Sequence, residues 1–111
     1  MDNKQIFKIL VRTDPFDMLD TEVLKSLCDK VIVREYKPNT YVFRQGEQSQ
    51  DCLFVIASGF VEITVTNERG IETVIGLRRI YDFFGETVAL SDANYSGSAR
   101  VKDDLCCCLI S

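Results

Sequence analysis

The sequence predicts a mainly β protein, an antiparallel double-sheet β-roll of jelly-roll type, entered through N-terminal helices and interrupted late in the chain by one short helix. Three observations predict it. Apolar residues fall at helical spacing only before residue 30, and from Lys30 onward they alternate with a period of two. The extended segments are separated by turn signals at intervals of about ten residues. A Phe-Gly-Glu step at Phe84-Gly85-Glu86 then breaks the strand pattern before the last two extended runs.

Each element follows from its local residues. Ile6, Phe7, Ile9 and Leu10 lie on one face of a first helix, which Asp14-Pro15 ends because proline disfavours helix in the residue before it. Asp20 is placed to cap a second helix whose apolar stripe is Val23, Leu24, Leu27 and Cys28. Val31, Val33 and Glu35 then alternate with Ile32, Arg34 and Tyr36. The turn Lys37-Pro38-Asn39-Thr40 follows, and Tyr41–Arg44 resumes the extended chain. Further strands are expected at Cys52–Ser58, Phe60–Asn67, Glu72–Arg79, Ala99–Lys102 and Leu105–Ile110. Gly46 and Gly59 serve as turn residues, and Asn67-Glu68-Arg69-Gly70 as a hairpin turn. The domain reading is a single unit over 1–111, with helices in 1–29 and the β-roll in 30–111.

Composition removes whole classes of function. At 111 residues the chain suffices for one core. Its apolar fraction is 46% without a run near the roughly 18 residues a membrane helix needs, and Met1–Gln5 lacks the basic-then-apolar pattern of a secretory signal. A net charge of −4 argues against broad nucleic-acid binding. Histidine is absent, which takes away the commonest general base and transition-metal ligand. Five cysteines, three of them consecutive, fit no disulfide framework and suit a reducing cytoplasm. In Leu105–Ile110 alternation sends Cys107 one way and Cys106 and Cys108 the other, as small apolar core residues instead of a metal or thiol site. No catalytic residue and no metal ligand is assigned. Glu47, lacking a second placed carboxylate, reads as a turn acceptor.

The candidate site is the stretch from Phe84 to Ala99. A glycine lets backbone approach closely, and the open N-terminus of a short helix offers unpaired N–H donors and a dipole suited to phosphate. Glu86 inside that turn would repel a phosphate, so it is assigned to a hydroxyl such as a sugar 2′-OH. A phosphorylated sugar or nucleotide satisfies both groups.

Three ordered segments carry a resemblance: Tyr41-Val42-Phe43-Arg44-Gln45-Gly46-Glu47, Leu53 to Glu62 with its Ser58-Gly59 step, and Asp82-Phe83-Phe84-Gly85-Glu86. Together they resemble the cyclic nucleotide-binding domain family over nearly the whole chain. In flavour the sequence is similar to bacterial members found with CBS-pair or nucleotidyltransferase-like domains. The resemblance implies an eight-stranded roll whose phosphate-binding cassette, residues 84–99 here, holds cAMP or cGMP. It assigns Gly85 a backbone contact and Glu86 the ribose 2′-OH. Thr87 and Val88 fall in the cassette helix, Ser98 matches the small residue that can donate to the phosphate, and Ala99 completes the ligand-binding stretch. The family's phosphate-binding arginine is matched by Gly97. Losing that ion pair predicts affinity lower by roughly 30- to several thousand-fold. Arg100 is a candidate substitute, but strand alternation turns it to the opposite face, where it reads as an exposed strand arginine; Arg78 and Arg79 are candidates to supply charge from a neighbouring strand and read rather as a solvated edge pair. Tyr95 reads as a surface packing residue or a pocket-lining one.

The resemblance further implies a helix after the last strand, so the apolar run Leu105–Ile110 is expected to lie without its usual cover. An adjoining effector domain in a longer chain supplies that cover, or a homodimer does. The function expected is therefore a non-enzymatic, cytoplasmic ligand sensor without cofactor, binding a cyclic nucleotide or related phosphorylated ligand and signalling to the next domain. The alternative is a degenerate family member that binds no nucleotide and serves in docking or dimerisation. It rests on the missing arginine.

Overall fold

Among the described residues, two short amphipathic helices, α1 (Asn3–Leu10) and α2 (Thr21–Cys28), separated by a 3-10 turn at Phe16–Met18, lead into eight strands. The structure is a computed structural model and describes residues 1–86 and 94–111. The strands are β1 (Ile32–Tyr36), β2 (Tyr41–Phe43), β3 (Leu53–Ser58), β4 (Val61–Thr66), β5 (Glu72–Arg78), β6 (Phe83–Phe84), β7 (Ser98–Val101) and β8 (Leu105–Ile110). They form two antiparallel four-stranded sheets, ordered β1-β8-β3-β6 and β2-β7-β4-β5. The mainly β double-sheet roll read from the sequence is what the chain adopts.

The central strands of the first sheet, β3 and β8, are buried on both faces, which is why they read as nearly continuous apolar runs, whereas β1 at the edge is largely exposed. In β8, Leu105, Cys107 and Leu109 enter the interior of the roll with Phe43, Phe54, Phe84 and Val101. Cys108 and Ile110 face the other way, with Val55, against Ile6 and Leu10 of α1 and Leu24 and Cys28 of α2. Each such leucine or isoleucine contributes about 1.5–3 kcal/mol on burial. The expected bare run is therefore a correction: the N-terminal helices cover it, and Leu105, Cys107, Cys108, Leu109 and Ile110 are all buried. The alternation assigned to the cysteines holds. Burial drives the Cys107 thiol strongly upward in pKa and raises Cys108 to about 11, so both behave as small apolar fillers.

Several local expectations need adjusting. Asp20 does occupy the N-cap of α2, but its side chain makes no capping bond. The capping box is on α1 instead, where Asp2 accepts from the Gln5 N–H at 2.9 Å and Gln5 accepts from the Asp2 N–H at 3.0 Å. Val23 lies outside the buried stripe at 52% exposure, since the short α2 buries only Leu24 and Cys28 completely. Gly46 and Gly59 both take positive φ, as turn residues do.

Candidate nucleotide-binding site

The β6 strand runs only two residues, because Gly85 turns the chain immediately after it with φ at +83°. A Cβ at Gly85 would sit 2.5 Å from the Phe54 ring and 3.4 Å from the Phe43 ring, so glycine is required both by conformation and by space. Glu86 follows and is exposed. It lines a cleft of about 250 Å³ together with Asp14, Arg78, Tyr81, Asp82 and Phe83.

The second segment that the resemblance assigns to the site is the entrance to β7. The chain here is held by the β2–β3 loop through a set of backbone and side-chain bonds. The Gly46 N–H donates to the Tyr95 carbonyl at 2.8 Å, and the Tyr95 N–H donates to the Glu47 carbonyl at 2.9 Å. The Gln45 N–H donates to Ser98 Oγ at 2.8 Å, while the Gln45 side chain bonds both backbone groups of Thr66. Glu47 accepts the Arg44 N–H at 2.9 Å, the turn-acceptor role read from the sequence.

Between the two segments lies an aromatic quartet. Phe43 stacks on Tyr95, Phe54 stacks on Phe84, and Phe43 contacts both members of the second pair. Because the Gly85 turn rests on Phe54 and Phe43, and Phe43 rests on Tyr95, the quartet links that turn to the approach to β7. Tyr95 is a further correction. It is not a surface packing residue but is buried in the roll, with its hydroxyl accepting the Gln50 N–H at 3.0 Å.

The residues matched to the family's site are thus placed unevenly. Gly85 and Glu86 follow directly on β6. Gly97 precedes β7 and Ser98 opens it, Ser98 being buried with its Oγ engaged by Gln45. Ala99 is fully buried in the core of the roll, so its side chain is closed to a ligand and only its backbone remains for contact. Thr87 and Val88 lie outside the described residues. Gly97 has no positive φ, yet a Cβ there would stand 2.7 Å from the Thr64 carbonyl oxygen. This backbone has no room for an arginine at that point.

Arg100 does lie on the face opposite Ala99 and Val101, as strand alternation requires. It is not an ordinary exposed arginine, however, since its side chain is only 28% exposed. Its guanidinium pairs with Glu62 at 2.9 Å and with Glu72, and Glu72 also accepts from Thr64 Oγ1 at 2.7 Å and from the Tyr41 hydroxyl. The Thr64 and Tyr41 hydroxyls and the Arg100 charge hold the Glu72 carboxyl below its ordinary pKa. Arg44 completes this outer cluster by lying over the Tyr41 ring at 4.0 Å. Sequence reasoning missed the cluster and the Gln45 clasp, because their members are distant in sequence.

A small roll with a Gly-Glu turn after an edge strand and a clasped entrance to β7 is the arrangement to compare with known proteins. The family profile described as "Cyclic nucleotide-binding domain" matches residues 33–111. This chain belongs to the cyclic nucleotide-binding domain family. Its members' shared domain is a ligand-binding regulatory one and not a catalytic one. Among curated relatives, the anaerobic regulatory protein of Bacillus subtilis is 27% identical over 85% of this chain and 40% of its own length. The regulatory domain of Toxoplasma gondii PKA with cAMP superposes with a TM-score of 0.86 at 21% identity, covering 98% of this chain and 41% of that one. A regulatory subunit of a cAMP-independent protein kinase A from Trypanosoma cruzi, bound to guanosine, gives 0.85 at 19% identity over 97% of this chain and 38% of that one. Both structural likenesses concern the fold. No helix among the described residues is long and apolar enough to cross a membrane.

Proposed function

We propose that this domain is a regulatory sensor that binds a ribose-bearing small molecule of the cyclic-nucleotide type between the Gly85-Glu86 turn and the entrance of β7. The observation that carries this reading is Glu86, an exposed carboxylate held one residue beyond an obligatory glycine turn at the end of β6. A carboxylate is an acceptor, and a ribose 2′-OH is a donor of matching size. The domain is non-enzymatic: it works by population shift, the ligand favouring one arrangement of the Gly85-Glu86 turn relative to the roll and the adjoining domain reading that difference. The relatives' greater lengths support an adjoining effector, which we place in a longer cytoplasmic chain of the bacterial type seen with CBS-pair or nucleotidyltransferase-like domains.

The direct experiment is titration calorimetry with cAMP, cGMP, cyclic dinucleotides and their parent nucleosides. Saturable heat with at least one is expected, and Glu86→Gln should weaken it. Absence of heat for every compound at millimolar concentration contradicts the reading. A second reading, a docking or dimerisation domain that takes no nucleotide, is favoured by Tyr95, whose ring fills space inside the roll beside the site. Sedimentation of the unliganded protein as a dimer, together with silent calorimetry, is its expected signature.

A further inference from the structure

β5 ends the second sheet, with β4 on one side and, among the described residues, no strand on the other. It also gathers the densest run of exposed apolar side chains. Of the eleven large hydrophobic residues that stand exposed among the described residues, five fall within ten positions: Ile71, Val74, Ile75, Leu77 and Ile80. Ile75 alone is 65% exposed. Sheet edges are ordinarily blunted, and one that stays apolar is a template for another chain.

The bulge in β5 decides which chain fits. Thr64 lies opposite Val74 and Ile63 opposite Gly76, so Ile75 is the extra residue and shifts the alternation by one. Val74, opposite Thr64, and Leu77, opposite Glu62, therefore share the outer face on which Glu62 meets Arg100, and Glu72, opposite Thr66, lies there too. Thr73 and Arg78, opposite Val65 and Val61, share the inner face. About the junction of Ile75 and Gly76 the strand is thus self-complementary. Val74 answers Leu77 as apolar residues of one face, and Glu72 answers Arg79, which continues the outer alternation just past the strand, as acid to base. In an unbulged strand Val74 and Leu77 would point to opposite faces, and this match would fail.

We infer that this edge binds a second copy of this chain, β5 against β5, antiparallel about a two-fold axis between Ile75 and Gly76. In that register Val74 packs on Leu77 of the partner subunit, and Glu72 faces Arg79 of the partner subunit at the rim while keeping its own Arg100. Apolar pairs and opposite charges directly across an antiparallel ladder are the stabilising cross-strand combinations, and a two-fold axis makes each of them twice. Slipping the copies by two residues sets Glu72 against Leu77 and loses both kinds of pair. The interface is built from β5 alone and holds for either reading of the ligand site.

The test is sedimentation equilibrium of this chain from micromolar to millimolar concentration, with a reversible dimer as the expected result. Ile75→Lys and Leu77→Lys should each weaken association at least about tenfold. Ile32→Lys, at a comparably exposed apolar position on β1 of the other sheet, should leave it unchanged. Oxidation reads the register: a mixture of Val74→Cys and Leu77→Cys proteins should cross-link faster than either variant alone or the parent, because these positions oppose each other only across the axis. A monomer at every concentration overturns the inference. So does a dimer that both lysine variants leave intact, or cross-linking in which either cysteine variant alone matches the mixture.

Discussion

Tyr95 lies face to face on Phe43, with ring centroids 3.7 Å apart and planes 8° from parallel. One residue belongs to β2 and the other to the approach to β7, so the stack joins the second sheet's first strand to the segment just before Gly97. Tyr95→Ala should cost about 3–5 kcal/mol, the range for removing a large buried aromatic. Tyr95→Phe keeps the ring and loses only the acceptor for the Gln50 N–H, so it should cost about 1–3 kcal/mol. Urea denaturation of the two variants checks the order; equal losses would show that the ring contributes nothing beyond its hydroxyl.

Gly85 and Gly97 are both predicted to reject a side chain, for different reasons. Gly85→Ala meets positive φ and the Phe54 ring together, whereas Gly97→Ala meets only the Thr64 carbonyl. Both variants should lower the unfolding midpoint, Gly85→Ala more, because the backbone penalty adds to the clash. Gly97→Arg should be destabilised as well, and it is not a clean way to restore a phosphate-binding arginine. Ser96→Arg, at an exposed neighbouring position, is the gentler substitution. Thermal melts of the four proteins decide the ranking.

The outer cluster gives a pH dependence of known sign. Glu72 has its pKa lowered in the folded protein, so the folded state binds fewer protons at this group than the unfolded chain does. Its contribution to stability is full above the unfolded carboxylate value of about 4.3 and fades as pH falls through the lower folded value. Denaturant midpoints measured from neutral pH down to the acid limb should therefore fall, and Glu72→Gln should flatten part of that fall. A Glu72→Gln protein with the acid limb of the parent would remove Glu72 from the account. Arg100→Ala should destabilise at neutral pH, since it removes the guanidinium that Glu62 and Glu72 share.

Much of this architecture was legible because period and turn chemistry are local. The alternation in Leu105–Ile110, the glycine turns and the hairpin at Asn67–Gly70 all follow from neighbouring residues, and Gly70 does donate to the Asn67 carbonyl at 2.9 Å. What escaped depends on distant partners. The cover over β8 comes from Leu10 and Leu24, which lie far from it in sequence and meet it only in a tertiary fold that pairs β8 with β1 and β3. Arg100 looked like a solvated strand residue because nothing nearby announces Glu62 or Glu72. Tyr95 sits in a run of small polar residues, and only the Gln45–Glu47 clasp explains why its ring turns inward. At the site itself the Gly-Glu turn was readable, while the steric closure at Gly97 needed the β4 backbone to be seen.

The most direct test of the ribose site is an amide NMR titration of the protein with adenosine and guanosine. The account predicts saturable shifts centred on Gly85, Glu86, Gly97 and Ser98, abolished by Glu86→Gln. Saturable shifts confined to another surface, such as the groove beside Lys8 and Arg12, or no shifts at millimolar nucleoside and cyclic nucleotide alike, would contradict it.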